Sequence, residues 1–162
     1  MSPIAYFAYG RNMPAVTMRS SCPGHRFLGR AELQDHRLAF RRRSVRTGTG
    51  VADIVSAPGQ SVWGALYEID DADLAALDQK EGNGQAYERR TIRVLTEGEP
   101  RDALAYAVIV PDAPHVKPSP EYLGALIEGA RERGLPAAYI DLVLELGARE
   151  TAPEGLRDTN DP

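Results

Sequence analysis

A chain of 162 residues with 43% hydrophobic content suits one domain and can bury roughly two-thirds of the surface its unfolded form exposes. Its charge is mixed and the formal net value is −4, so the field of the whole molecule does not favour nucleic acid or a membrane surface as partner. Cys22 is the single cysteine, which excludes an intramolecular disulfide and a thiol-paired zinc site and fits a reducing cytoplasm. The apolar run Ile4 to Tyr9 is too short for a signal core or a membrane span, so a cytoplasmic protein is expected.

Residues 4 to 9 read as a buried strand, and Pro14 to Arg19 as a short helix whose first turn tolerates proline. Gly10 to Met13 then form a strand-to-helix turn with unpaired amides, to which the helix N-terminus adds partial positive charge. Glycine at position 10 allows either a positive φ or close substrate approach. Alternation of apolar and polar residues predicts strands over Arg30 to Phe40, Gly50 to Ser56 and Val62 to Ile69, with Pro58-Gly59 as the turn between the last two. The spacing changes to helical over Asp70 to Asp78, with Asp70 or Asp71 as N-cap, and Glu81 follows that helix directly.

Tyr87 to Leu95 and Arg101 to Val110 read as a strand pair joined at Glu97-Gly98-Glu99-Pro100. Glu121 to Arg133 is a helix stopped by Gly134 and Pro136, and Ala137 to Leu146 is a second, shorter one. Residues 1–150 are thus expected to be one domain. The polar tail 151–162 has too little to bury and is expected to be disordered. About six strands with three or four helices is an α+β pattern, and spacing alone does not say whether the sheet closes.

Two segments carry chemistry. Tyr6-Phe7-Ala8-Tyr9-Gly10-Arg11-Asn12 is an aromatic run that stops at a glycine and polar residues, as a cradle of backbone donors for an oxyanion or carboxylate requires. Leu77 to Gly82 places one carboxylate, Glu81, against a glycine that leaves space beside it, as a lone acid/base needs. Tyr6, Tyr9, Tyr106 and Tyr122 are candidate pocket walls, since a phenol offers an apolar face and a hydroxyl. Arg41-Arg42-Arg43 with Arg46 reads as a solvated loop, the alternative being that one arginine reaches the pocket mouth and selects an anionic substrate tail. His25, His36 and His115 lack the close pairing of a metal site, so no metal and no cofactor is expected.

These residues resemble the gamma-glutamylcyclotransferase-like (AIG2-like) family, whose hallmark is a Tyr-Gly-Ser-Asn turn near the N-terminus; here the turn is Tyr9-Gly10-Arg11-Asn12, with arginine in place of the usual serine. The likeness continues through Gly50 to Ile54, Val62 to Tyr67, Leu77 to Gly82 with Tyr87, Pro118 to Tyr122, and Gly129 to Pro136, roughly residues 4 to 146 in order. It implies a small, partly closed mixed β-barrel of about six strands flanked by helices, with the active site in its mouth. It implies a γ-glutamyl amine or amino acid cyclised to 5-oxoproline with release of the free amine, Glu81 as the catalytic proton shuttle, and Tyr6, Phe7, Ala8, Tyr9, Gly10, Arg11, Asn12 and Tyr122 as substrate-binding residues. The partner is then a small γ-glutamyl molecule, without cofactor, metal, nucleic acid or membrane, and the assembly a monomer or homodimer. The alternative is a non-catalytic binding or regulatory module of the same fold, altered by Arg11.

Overall fold

The computed structural model describes residues 3–153. The first apolar run forms strand β1 (Ile4–Ala8), and a short helix α1 (Ala15–Ser21) follows the turn after it. Two long strands, β2 (Arg26–Arg43) and β3 (Gly50–Ile69), then pair along their whole length. Helix α2 (Asp71–Glu81) leads to the hairpin β4 (Tyr87–Thr96) and β5 (Glu99–Val108), and helices α3 (Pro120–Glu132) and α4 (Ala137–Ala148) complete the described chain.

The strands close into a barrel in the order β1-β3-β2-β4-β5. β1 runs antiparallel to β3, from Ile4 opposite Ile69 to Ala8 opposite Ala65, and parallel to β5 at Tyr6 and Leu104. Closure removes free sheet edges, and Phe7, Phe40, Leu66, Tyr67 and Val62 are fully buried. At Glu97-Gly98 both residues take positive φ, 52° and 79°, the geometry of a tight hairpin turn whose twist matches the strands.

The fold is α+β with five strands among the described residues rather than about six, because Gly50 to Ser56 and Val62 to Ile69 belong to one strand. The Pro58-Gly59 signal is a local one. Ser61 pairs with Gln34 and Ser56 with His36, so residues 57–60 bulge out opposite Asp35 alone, and β3 resumes its pairing with the same partner. Gly59 sits at φ +83° and donates its N–H to the Asp35 carboxylate, while Pro58 occupies a place where no ladder donor is needed. The tail expected to be disordered falls almost wholly on residues 154–162, which lie outside the described residues. No helix among the described residues is long and apolar enough to cross a membrane.

Candidate active site

Helix α2 delivers the carboxylate. Asp70 caps it in a reciprocal box with Asp73, and Gly82 ends it in the left-handed conformation (φ 61°, ψ 50°), returning its N–H to the Asp78 and Gln79 carbonyls. Glu81 is therefore the last residue of the helix rather than one beyond it. Gly82 is required for its φ, not for space beside the carboxylate.

The turn Gly10 to Met13 delivers the other half. It is closed by the Met13 N–H donating to the Gly10 carbonyl at 3.2 Å and is clamped from behind by α3, where Gly129 lies so close to Met13 and Pro14 that a Cβ would fall 2.8 Å from Pro14. Gly10 does not have positive φ; a Cβ there would stand 3.2 Å from the Tyr122 hydroxyl, a tight contact that would push on that phenol. At the start of α1 the Ala15 N–H donates to the Glu132 carboxylate of α3 at 3.0 Å, so that amide is not available to the site.

Between the two halves lies a cavity of about 410 Å³. Asn12, buried in the turn, donates from Nδ2 to Glu81 Oε1 at 2.8 Å and to the Tyr6 hydroxyl at 2.9 Å, while its Oδ1 accepts from Lys80 Nζ at 2.7 Å. An ammonium on the oxygen and a carboxylate on the nitrogen leave one orientation for the amide. Glu81 Oε2 has no partner among the described residues, so one oxygen is held and the other faces the cavity. Burial pushes the Glu81 carboxyl above the usual carboxylate range, an effect that the Asn12 hydrogen bond and the Lys80 charge partly oppose. Burial likewise lowers the Lys80 ammonium, opposed by Glu81 and assisted by Arg11.

Five tyrosines wall the cavity, and their hydroxyl protons are spent differently. Tyr87 donates to the Ala52 carbonyl at 3.1 Å, Tyr106 to Asp78 Oδ1 at 2.6 Å, and Tyr9 to the Tyr106 carbonyl. Tyr6 and Tyr122 only accept, from Asn12 and from the Ala52 N–H at 3.0 Å respectively, with the Arg11 amide also facing the Tyr122 oxygen. Their O–H groups therefore have no acceptor among the described residues and remain for whatever enters. Burial pushes the Tyr122 phenol up to about 12, so it stays a donor across the neutral range.

Of the expected site residues, Tyr6, Tyr9, Gly10, Arg11, Asn12, Glu81 and Tyr122 meet around this cavity, and Tyr106 with them. Phe7 and Ala8 do not line it; both are buried in the core, with the Phe7 ring and the Ala8 carbonyl packed against Gly64 of β3. Lys80 lines the cavity without having been singled out, its signal being its place beside the carboxylate; Tyr87, noted only within the family resemblance, lines it too. The arginine run divides: Arg43 and Arg46 are exposed, as a solvated segment would be, but the alternative of an arginine at the pocket mouth is also met. Arg41 is buried in β2 and bound to Asp53 of β3 through Nε at 3.1 Å and Nη2 at 2.8 Å, whereas Arg42 and Arg46 reach the cavity mouth. Each of the three histidines pairs a ring nitrogen with a backbone carbonyl, and no group of three His, Cys, Asp or Glu side chains among the described residues could hold a metal ion.

A closed five-stranded barrel with one carboxylate at its mouth, facing a glycine turn and free phenolic donors, defines the class. Residues 61–143 match the model of the AIG2-like family, and the chain belongs to that family. Human gamma-glutamylcyclotransferase is 31% identical over 139 residues, which span 83% of this chain and 73% of that protein, and the bovine protein of the same name is 32% identical over the same shares. A solved gamma-glutamyl cyclotransferase structure superposes with a TM-score of 0.85 at 27% identity, covering 94% of this chain and 95% of that one.

Proposed function

We infer that the protein is a gamma-glutamylcyclotransferase-type enzyme, which cyclises the γ-glutamyl group of a γ-glutamyl amine or amino acid to 5-oxoproline and releases the free amine. The α-amine nitrogen bonds to the γ-carbonyl carbon of the same molecule, and that carbon's bond to the leaving nitrogen breaks. Nucleophile and electrophile are already tethered, so the protein has to fold the substrate, move a proton and stabilise the oxyanion.

The observation that carries this reading is the Glu81 carboxylate, held by Asn12 through one oxygen and open to the cavity through the other. Glu81 takes a proton from the attacking amine and hands it to the leaving nitrogen, and its raised affinity for protons brings it closer to the task than an ordinary carboxylate. The Tyr6 and Tyr122 hydroxyls and the Gly10–Asn12 turn hold the carbonyl oxygen and the α-carboxylate. The chemistry needs no redox step and no electron sink, so it proceeds without a cofactor. Arg11 lines the cavity together with Glu81, and the retained carboxylate favours an enzyme over a purely binding module. Incubating the purified protein with a panel of γ-glutamyl compounds should release 5-oxoproline and the free amine in equal amounts; absence of both across the panel would remove the assignment.

A further inference from the structure

The cavity carries far more positive charge than the γ-glutamyl group can use. Arg11, Arg42, Arg46 and Lys80 all line it, against the single carboxylate of Glu81. Lys80 is committed to Asn12 and Ser21. Elsewhere Arg26, Arg41, Arg89, Arg90, Arg93 and Arg133 each have a carboxylate within ion-pair distance, and Arg30, Arg43 and Arg149 donate to backbone carbonyls instead. Arg11, Arg42 and Arg46 have none among the described residues; Arg42 instead lies over the Tyr87 ring at 5.9 Å. Three guanidinium groups left without a counter-charge around one concavity are what a polyanionic ligand requires.

Their placement separates them from the reacting end. A neighbouring concavity shares Arg11, Ser44, Arg46, Val51 and Tyr122 with the main cavity and extends past them to Thr47 and Ser119, with Glu121 as its one carboxylate. Arg46 stands on the segment between β2 and β3, and Arg42 on the last turn-ward residues of β2, so both sit at the mouth, where the leaving group must lie if the γ-carbonyl is beside Glu81. The γ-glutamyl α-carboxylate can satisfy one guanidinium. A leaving amine with a single carboxylate would satisfy a second and leave the third unmatched.

We propose that Arg42 and Arg46, with Arg11, form a leaving-group subsite that selects γ-glutamyl peptides whose released amine is an acidic amino acid carrying two carboxylates. The proposal rests on the cyclotransferase reading for its chemistry, but the subsite can be tested without turnover.

Three substrates separate the charges: γ-glutamyl-glutamate, γ-glutamyl-alanine and γ-glutamyl-methylamide. The kcat/KM for the first should exceed that for the last by roughly tenfold or more at low salt, with the alanine compound between, and the ratio should shrink at about 0.5 M salt. Arg42→Ala and Arg46→Ala should each lower that ratio roughly tenfold, and the lysine replacements should keep part of it. Equal kcat/KM for all three compounds in the wild-type protein overturns the proposal while leaving the cyclotransferase assignment in place. Calorimetry on Glu81→Gln reads binding alone. Tighter binding of γ-glutamyl-glutamate there, with no 5-oxoproline from the wild type, would keep the subsite and remove the reaction; no preference in binding or in turnover removes the subsite.

Discussion

Asn12 and Glu81, 69 residues apart in the chain, are joined by a 2.8 Å hydrogen bond from Nδ2 to Oε1. The bond ties the strand-to-helix turn after β1 to the last turn of α2 and sets which carboxylate oxygen is open to the cavity. Lys80, one residue before Glu81, holds the other end of the same amide. Helix end and turn are therefore positioned against each other through a single side chain.

Removing that side chain should be visible in the pH dependence of the rate. The proton shuttle works from the ionised carboxylate, so activity rises as Glu81 deprotonates. Asn12 stabilises the ionised form and opposes the upward push of burial. In Asn12→Ala the acid limb of the kcat/KM profile should move to higher pH, because burial then acts on the carboxyl without that opposing hydrogen bond. A limb that stays in place would show that Asn12 does not act on this carboxylate.

Glu81→Gln should lower turnover by roughly 10²–10⁴ while substrate still binds, because the amide is nearly isosteric but cannot take the proton. The same substitution should not lower stability at neutral pH. Glu81 has a raised affinity for protons in the folded state, so its contribution to stability is fullest below the pKa of the unfolded chain and declines as pH rises through the folded value. A melting temperature at pH 7 no lower than that of the wild type, beside lost turnover, is the expected pair of results.

Tyr122→Phe removes an oxygen that accepts from the Ala52 N–H and a proton that is free for the substrate. Loss of one such donor is worth roughly 10²–10³ in comparable sites, so kcat should fall by that order. Tyr87→Phe makes a control of similar size. Its proton goes to the Ala52 carbonyl, and kcat should fall less in that variant than in Tyr122→Phe.

Asp53→Ala should cost about 3–5 kcal/mol in urea unfolding, the usual consequence of removing one member of a buried ion pair. Asp53 is fully buried; one of its oxygens is held by Arg41 and the other accepts the N–H groups of Ile54 at 2.8 Å and Val108 at 3.0 Å. The substitution breaks a link between β3 and β5 directly behind the cavity wall at Ala52. A loss below about 1 kcal/mol would mean that water replaces these contacts without cost.

Gly50→Ala should prevent normal docking of the segment before α3. A Cβ at this position would lie 1.8 Å from the Val116 carbonyl oxygen, and the Gly50 N–H donates to the Lys117 carbonyl at 2.9 Å. Overpacking of this kind costs roughly 1–3 kcal/mol or more when the obstacle is backbone. Gly48→Ala, two residues earlier, meets no atom within 4 Å, though its φ of +72° carries its own strain, so it should lose less.

Local signals survived where the local chain decides. The Asp70 cap and the Gly134 stop each act within about one helical turn, and α2 begins and α3 ends close to where these residues place them. Tyr6, Tyr9, Tyr106 and Tyr122, read as candidate pocket walls, line the same cavity as Glu81. Pro58-Gly59 misled because a turn signal says that the chain bends, not whether the strand afterwards finds a new partner or the old one. Phe7 and Ala8 were carried into the site by their neighbours; alternation turns Phe7 away from the face of Tyr6, whereas Ala8 is on that face but is a small side chain buried in the core, its carbonyl against Gly64.

By itself, the sequence determined the class of fold, the start of α2, the Gly134 stop after α3, the glycine turn after β1 and the one carboxylate that follows Leu77 by a helical turn. All of these depend on backbone preferences and on contacts between near neighbours. The tertiary structure alone decided that α2 runs on to Glu81, that β1 lies beside β5 and closes the barrel, that Arg41 is buried on Asp53 while Arg42 and Arg46 reach the mouth, and that the first amide of α1 is taken by Glu132 rather than left for a ligand. Each of those outcomes is a choice among partners far apart in the chain, set by which pairing buries the most apolar surface and leaves the fewest buried polar groups unmatched, and no local pattern encodes it.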